Sequence, residues 1–406
     1  MHDSSIKAVL VVLGLLLVAA IGSSKALGES KNLGLKLLAK TSLFFLILGA
    51  IVGPQGLELI DTSVLRQLSP IVVVGLGWIG FLYGNHLEYQ DLRKFRAQLF
   101  WTAFGEALVT FTLVGLAFWL LSYLKVVTLD PLAFVLLAST SACTAPVRRF
   151  LTRDSEDEAT YKLAHFCSEL DDLPGLVALG LLFSFSPPQV GPSVVLSIVF
   201  WFFVHLLIGL VFGWVTDFLY HSIESAEGQT DPGELTLVFF GMLCLSSGFA
   251  AYLDLSPLFV GVVSGVVFAN ISDHSDTLAT ALAEREHTVY VLFLMVSGCY
   301  WPFQGFSAWL PLAVYIAVRL LGKVLGSLFS RRVFLSDEDF ESAFASDRFG
   351  LALIPQGGLA IAMVVSYLWS FSTVAAAWAI NIVHISVILN DLLAPYLIKN
   401  LPREEE

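Results

Sequence analysis

Apolar runs of about 17–25 residues, the length that crosses a bilayer as a helix, recur from one end of the chain to the other, separated by short polar segments. They lie near 6–22, 34–53, 64–84, 97–124, 132–150, 160–185, 192–220, 234–252, 255–270, 286–304, 307–330, 347–370 and 373–398. This pattern predicts an all-α polytopic membrane protein with about thirteen transmembrane helices. The first run, Ala8 to Ile21 after Lys7, has the look of a signal peptide, but the topology below needs it as a span.

Two of these runs are interrupted. One breaks at Ser139-Thr140-Ser141-Ala142-Cys143-Thr144-Ala145-Pro146 and the other at Ile354-Pro355-Gln356-Gly357-Gly358. Proline supplies no N–H to the helix ladder and clashes with the preceding turn, so Pro146, Pro355, Gln356, Gly357 and Gly358 mark predicted helix breaks. The interrupted spans are seven apart, in positions that correspond in two five-helix units over 34–185 and 255–398, joined by spans over 192–252. The first unit ends in Leu170-Asp171-Asp172-Leu173-Pro174. The second ends in Leu389-Asn390-Asp391-Leu392-Leu393-Ala394-Pro395. An odd number of helices per unit, plus one connecting pair, makes the units inverted. Inverted repeats with paired broken helices place a binding site near the membrane midplane.

Composition agrees with a membrane location. The chain of 406 residues is 56% hydrophobic and only 14% charged, against about 25% charged in soluble domains. The net charge of −12 comes from acids gathered in a few loops, and no nucleic-acid partner is expected. With the N-terminus outside, Lys25, Lys31, Lys36, Lys40, Arg93, Lys94, Arg96, Arg148, Arg149, Arg153, Lys162, Arg285, Arg331, Arg332, Arg348, Lys399 and Arg403 all fall on the cytoplasmic side, as does the C-terminus. The acidic loop from His221 to Glu234 is neutral in this count. Cys143, Cys167, Cys244 and Cys299 lie in apolar segments without metal-ligand spacing and read as small buried side chains. No glycine-rich nucleotide motif is present, so neither a cofactor nor a soluble regulatory domain is expected.

The candidate chemistry is the adjacent pair Asp171 and Asp172 inside the run over 160–185. A charge near the bilayer centre costs at least about 2.5–3.5 kcal/mol and marks an ion or proton pathway by default. Neighbours on one helix point about 100° apart, so each serves a different partner. His165, Glu169 and Asp172, spaced i, i+4, i+7, form a polar stripe suited to a proton path, although Glu169 also fits the mouth of a wet cavity and His165 an interfacial or simply hydrogen-bonded position. Asp171 faces elsewhere and suits a basic residue. Lys323 is the best candidate, with Arg319 one turn earlier as a competitor. At the first break, Thr140, Ser141 and freed backbone carbonyls are hard oxygen ligands of the kind a Na⁺-like ion needs, or they satisfy the helix backbone.

In these residues the chain resembles the monovalent cation:proton antiporter superfamily, in its second branch. Leu48-Gly49-Ala50-Ile51-Val52-Gly53-Pro54-Gln55-Gly56-Leu57 resembles the family's early glycine-proline turn. Thr140-Ser141, Asp171-Asp172, Gly322-Lys323-Val324-Leu325-Gly326 and the stretch from Gly350 to Ala360 resemble its first crossing helix, twin-aspartate motif, intramembrane lysine and second crossing helix. The resemblance implies a sodium/proton antiporter fold and an elevator-type secondary transporter in a bacterial inner membrane, a homodimer, and not an enzyme. It implies that Asp172 alternates between a proton and Na⁺ or Li⁺, that Asp171 pairs with Lys323, and that exchange is electrogenic. Three departures stand out: Ser141 where some relatives have an aspartate, Glu169 as a third acid, and Arg319 beside Lys323.

Other functions fit parts of the same pattern. K⁺/H⁺ exchange or K⁺ efflux would use the same fold, and the missing nucleotide-sensing module counts against ligand-gated efflux. A sensor that kept the fold without transporting is a further reading. An intramembrane aspartyl protease needs two facing aspartates on different helices, which adjacent residues do not provide.

Overall fold

The structure is a computed structural model that describes residues 11, 13–15, 17–18, 42–93, 97–127, 129–146, 158–227, 232–273, 275–302, 309–334, 349–371 and 373–398. Most of the expected span over 6–22, the start of that over 34–53, and most of the basic loop residues lie outside these. In chain order the helices are α1 (Leu43–Val52), α2 (Thr62–Gln67), α3 (Ser69–Asn85), α4 (Tyr89–Leu92), α5 (Ala97–Tyr123) and α6 (Pro131–Ala142). They continue with α7 (Glu158–Leu170), α8 (Asp172–Phe183), α9 (Val194–Glu227), α10 (Pro232–Tyr252) and α11 (Pro257–Ile271). The last are α12 (Ser275–Cys299), α13 (Trp309–Phe334), α14 (Phe349–Ala352), α15 (Gly357–Phe371) and α16 (Val374–Ile398). No strand occurs among the described residues.

Among the described residues five helices are long and apolar enough to cross a membrane: Ala97–Tyr123, Val194–Ile223, Gly233–Tyr252, Trp309–Phe334 and Val374–Ala394. On α9, Phe203, Leu207, Leu210, Trp214 and Phe218 are all more than half exposed. Their spacing of three and four residues puts them on one helix face. A continuous exposed apolar stripe of this kind needs an apolar solvent, and lipid supplies it.

The chain divides into two compact units. The first takes residues 1–93 and 183–301. Here α3 packs on α11, α11 on α9, and α12 on α1, around a core that includes Trp78, Phe81, Phe239 and Phe268. His205, to which the sequence gives no role, is a structural tie. Its Nε2 accepts the Ser256 amide at 3.1 Å, which leaves Nδ1 to donate to the Trp201 carbonyl at 2.9 Å. The neutral imidazole joins α9 to the cap of α11.

The second unit takes residues 94–182 and 302–406 and holds every candidate site residue. Its frame is α5 packed along α13. Against this frame lie two short helices that stop early. α6 starts well: the Asp130 carboxylate accepts the Ala133 amide at 2.8 Å, and Pro131 takes the first helical position. It then ends at Ala142, after 12 residues. At 1.5 Å per residue that is about 18 Å, short of the roughly 30 Å hydrocarbon core. α14 ends at Ala352, and α15 begins only at Gly357.

One expectation is corrected. The run over 160–185 is not one continuous helix, because α7 ends at Leu170 and α8 starts at Asp172. Asp171 forms the turn between them. Pro174 explains the interruption: it has no N–H to offer the Leu170 carbonyl four residues back, and its ring crowds that carbonyl. Asp171 therefore sits in the discontinuity and Asp172 opens the helix that follows it, rather than both being neighbours within one helix.

A candidate ion site at the paired helix breaks

Both breaks end a helix, at Ala142 and Ala352, and leave its last carbonyls without intrahelical partners at the negative end of the dipole. Arg319 and Lys323, one turn apart on α13, meet this demand. The Arg319 guanidinium donates through Nε to the Ser141 carbonyl at 3.0 Å, through Nη2 to that of Cys143 at 2.6 Å, and through Nη1 to that of Ile354 at 2.5 Å. It thus ties the first break to the second with a rigid planar fork. Lys323 Nζ donates to the Ala142 carbonyl at 2.7 Å. The segments also meet directly, the Ala145 amide donating to the Pro355 carbonyl at 2.8 Å.

The remaining bonds of Lys323 go to acids. Nζ lies 2.9 Å from Asp171 Oδ2, 3.0 Å from Thr144 Oγ1 and 3.3 Å from Glu106 Oε2 on α5. Lys323 and Asp171 are fully buried and Glu106 is 2% exposed. The Thr144 hydroxyl lies against Asp171 Oδ2 and 3.1 Å from the Leu353 carbonyl. Of the two cations open at the sequence level, Lys323 is the one that contacts Asp171, while Arg319 spends its hydrogen bonds on backbone carbonyls.

Asp172, 3% exposed, accepts the Thr144 amide on Oδ1 at 3.1 Å. The second break has a matching contact: Asp391, 2% exposed, accepts the Gln356 amide on Oδ1 at 3.1 Å. Each carboxylate faces an amide of an unwound segment. The Gln356 side chain links the two breaks, donating through Nε2 to the Thr140 carbonyl at 2.8 Å and receiving on Oε1 the Ser386 hydroxyl at 2.9 Å. Asp171 Oδ1 differs from these. It is buried and has no hydrogen-bond partner among the described residues. A buried carboxylate oxygen left bare is costly, and a proton or a small cation would relieve that cost.

The other expected residues fall outside this cluster of side chains. The Thr140 hydroxyl lies 3.0 Å from both the Leu137 carbonyl and the Tyr315 hydroxyl, and the Ser141 hydroxyl donates to the Ala138 carbonyl at 2.7 Å. His165 Nδ1 and Glu169 Oε1 pair at 3.2 Å, each side chain about a third exposed. Pro146 lies in the non-helical stretch after α6, whereas Gly357 and Gly358, expected within the second break, are the first two residues of α15, so that break covers residues 353–356. Glu106, Thr144 and Tyr315 were not anticipated. Glu106 carried a usable signal, as a lone acid in the apolar run over 97–124.

Gly357 has a left-handed φ of +72°, and a Cβ there would come within 2.9 Å of Ala145 Cα on the other break. Gly357→Ala combines about 1–2 kcal/mol of backbone strain with that collision. It is expected to lower the thermal unfolding temperature of the detergent-purified protein and to reduce transport. An unchanged midpoint would show that the breaks can separate freely.

A model of the transmembrane sodium/hydrogen exchanger family matches residues 16–400. The sodium proton antiporter MjNhaP1 from Methanocaldococcus jannaschii, solved at pH 8, has the same fold, with a TM-score of 0.67 over 95% of this chain and 99% of that one. Sequence identity is 15%. No curated protein matches the chain in sequence.

Proposed function

The chain belongs to the sodium/hydrogen exchanger family of integral-membrane antiporters, which are not enzymes, and from that premise we propose that it exchanges protons for Na⁺ or Li⁺ at Asp171 and Asp172. The observation that carries the reading is the pair of adjacent buried carboxylates at the helix breaks, one of them with a bare oxygen. Asp172 is the main exchanging group, and Asp171 adds a second while Lys323 supplies the counter-charge. Unwound carbonyls and the Thr140 and Ser141 hydroxyls are available as further oxygen ligands. Two exchanging carboxylates against one monovalent cation give two protons per ion and an electrogenic cycle.

The larger frame belongs to the same proposal. Residues 34–185 and 255–398 are inverted repeats, and the matching amide contacts of Asp172 and Asp391 support this. The half carrying the site moves as an elevator, the protein is a homodimer, and it works in a bacterial inner membrane with its N-terminus outside and its C-terminus in the cytoplasm. His165 and Glu169, paired and partly exposed, belong to a proton route.

Ion identity is tested by collapse of a preset pH gradient in proteoliposomes on adding Na⁺, Li⁺ or K⁺ separately. Collapse with Na⁺ or Li⁺ is expected; collapse with K⁺ alone would reassign the protein to K⁺/H⁺ exchange. Protons and cations compete for the same carboxylate oxygens. At low pH the protonated groups cannot take the cation, so exchange should rise with pH and then level off. A rate that falls throughout the same titration would remove the shared-site mechanism.

A further inference from the structure

We propose that Glu106 is the standing counter-charge of Lys323, so that Asp171 can leave the ammonium and join Asp172 in holding the transported ion; this rests on the antiporter reading above. Lys323 Nζ has three N–H bonds and four oxygens within 3.3 Å: Ala142 O, Asp171 Oδ2, Thr144 Oγ1 and Glu106 Oε2. Its hydrogen bonds are already shared, so they can be redistributed with little movement of the nitrogen.

The two carboxylates are mounted differently. Glu106 sits on the continuous helix α5, where the Thr110 hydroxyl one turn on donates to its Oε1 at 3.1 Å. α13 runs close against it: a Cβ at Gly326 would lie 2.8 Å from the Glu106 carbonyl oxygen, and one at Gly322 would lie 3.0 Å from Thr110 Cα. The Glu106–Lys323 contact therefore spans a tightly packed helix pair. Asp171 occupies the turn between α7 and α8, three residues before Pro174. Of the two acids, Asp171 is on the segment built to shift.

The energetics favour the same division. If Asp171 were the sole partner, releasing it would leave an unpaired ammonium in the interior, which is strongly unfavourable. With Glu106 in place the ammonium stays compensated and keeps its proton through the cycle. Asp171 and Asp172 then both exchange, taking two protons in one state and one monovalent cation in the other, with one net charge moved per cycle. The ionisable groups around Glu106 are Lys323 and Arg319 on α13, Asp171 at the turn, and the Cys167 thiol on α7.

The test is the voltage dependence of exchange in proteoliposomes holding the full chain, with Na⁺ as the driving ion and a clamped membrane potential. Wild-type flux is expected to respond to the potential. In Glu106→Gln, Asp171 stays bound to Lys323 and only Asp172 exchanges, so flux should become one-for-one and lose its voltage response. Glu106→Asp should restore part of it. Glu106→Gln combined with Lys323→Gln removes both charges, frees Asp171 again and should also restore voltage dependence, which covers the case of an unstable single variant. Unchanged voltage dependence in Glu106→Gln would overturn the proposal, as would voltage-insensitive wild-type exchange. A wild type with no cation-driven proton flux would overturn the antiporter reading itself.

Discussion

Replacing Lys323 by methionine is expected to cost about 3–5 kcal/mol of stability near neutral pH, the usual penalty for removing one partner of a buried ion pair. Methionine fills similar volume, so the loss is electrostatic. The change leaves Asp171 and Glu106 without their shared cation, and it removes the donor from the Ala142 carbonyl at the end of α6. Thermal unfolding in detergent measures the effect. Adding Asp171→Asn in the same chain should recover part of the loss, because the uncompensated charge is then smaller. The two substitutions should be clearly non-additive, as contacting residues are. Additive losses would mean that the 2.9 Å contact carries no coupling.

Asp172→Asn is expected to abolish cation-driven proton movement, down to the level of empty proteoliposomes, while the protein stays folded. The fold should survive because the asparagine side-chain oxygen can still accept the Thr144 amide that Asp172 Oδ1 accepts at 3.1 Å. What is lost is the group that can hold either a proton or a cation. Asp391→Asn is the useful comparison, since it makes the same change at the matching amide of Gln356. Near-normal exchange in Asp391→Asn alongside none in Asp172→Asn would assign the ion to the first break. Full activity in Asp172→Asn, in verified folded protein, would end the antiport reading at this site.

The matched family and the shared fold bear on where such residues can sit, but the roles above follow from local chemistry. Arg319 illustrates this. By sequence it competes with Lys323 for Asp171. In the structure a planar guanidinium with divergent donors satisfies three carbonyls on two segments, a task for which a single ammonium is poorly shaped.

Hydrophobic patterning alone determined that this chain is a helical membrane protein, because spanning a bilayer demands long apolar runs and leaves few alternatives. It also located the two breaks, since proline and glycine act through local backbone geometry, and it singled out Asp171, Asp172 and Lys323, since a charge in an apolar run is expensive wherever it ends up. Partnership was decided only by the tertiary structure. Lys323 meets Asp171 across 152 residues of sequence and Glu106 across 217, and no local pattern encodes such pairings. The interruption at Asp171 had a local signal in Pro174, but the apolar run continues through it, so the hydrophobic pattern alone reads as one helix. Sequence states which groups must be compensated, because burial cost belongs to the residue. Which group compensates them is fixed by packing, because that depends on how distant helices are brought together.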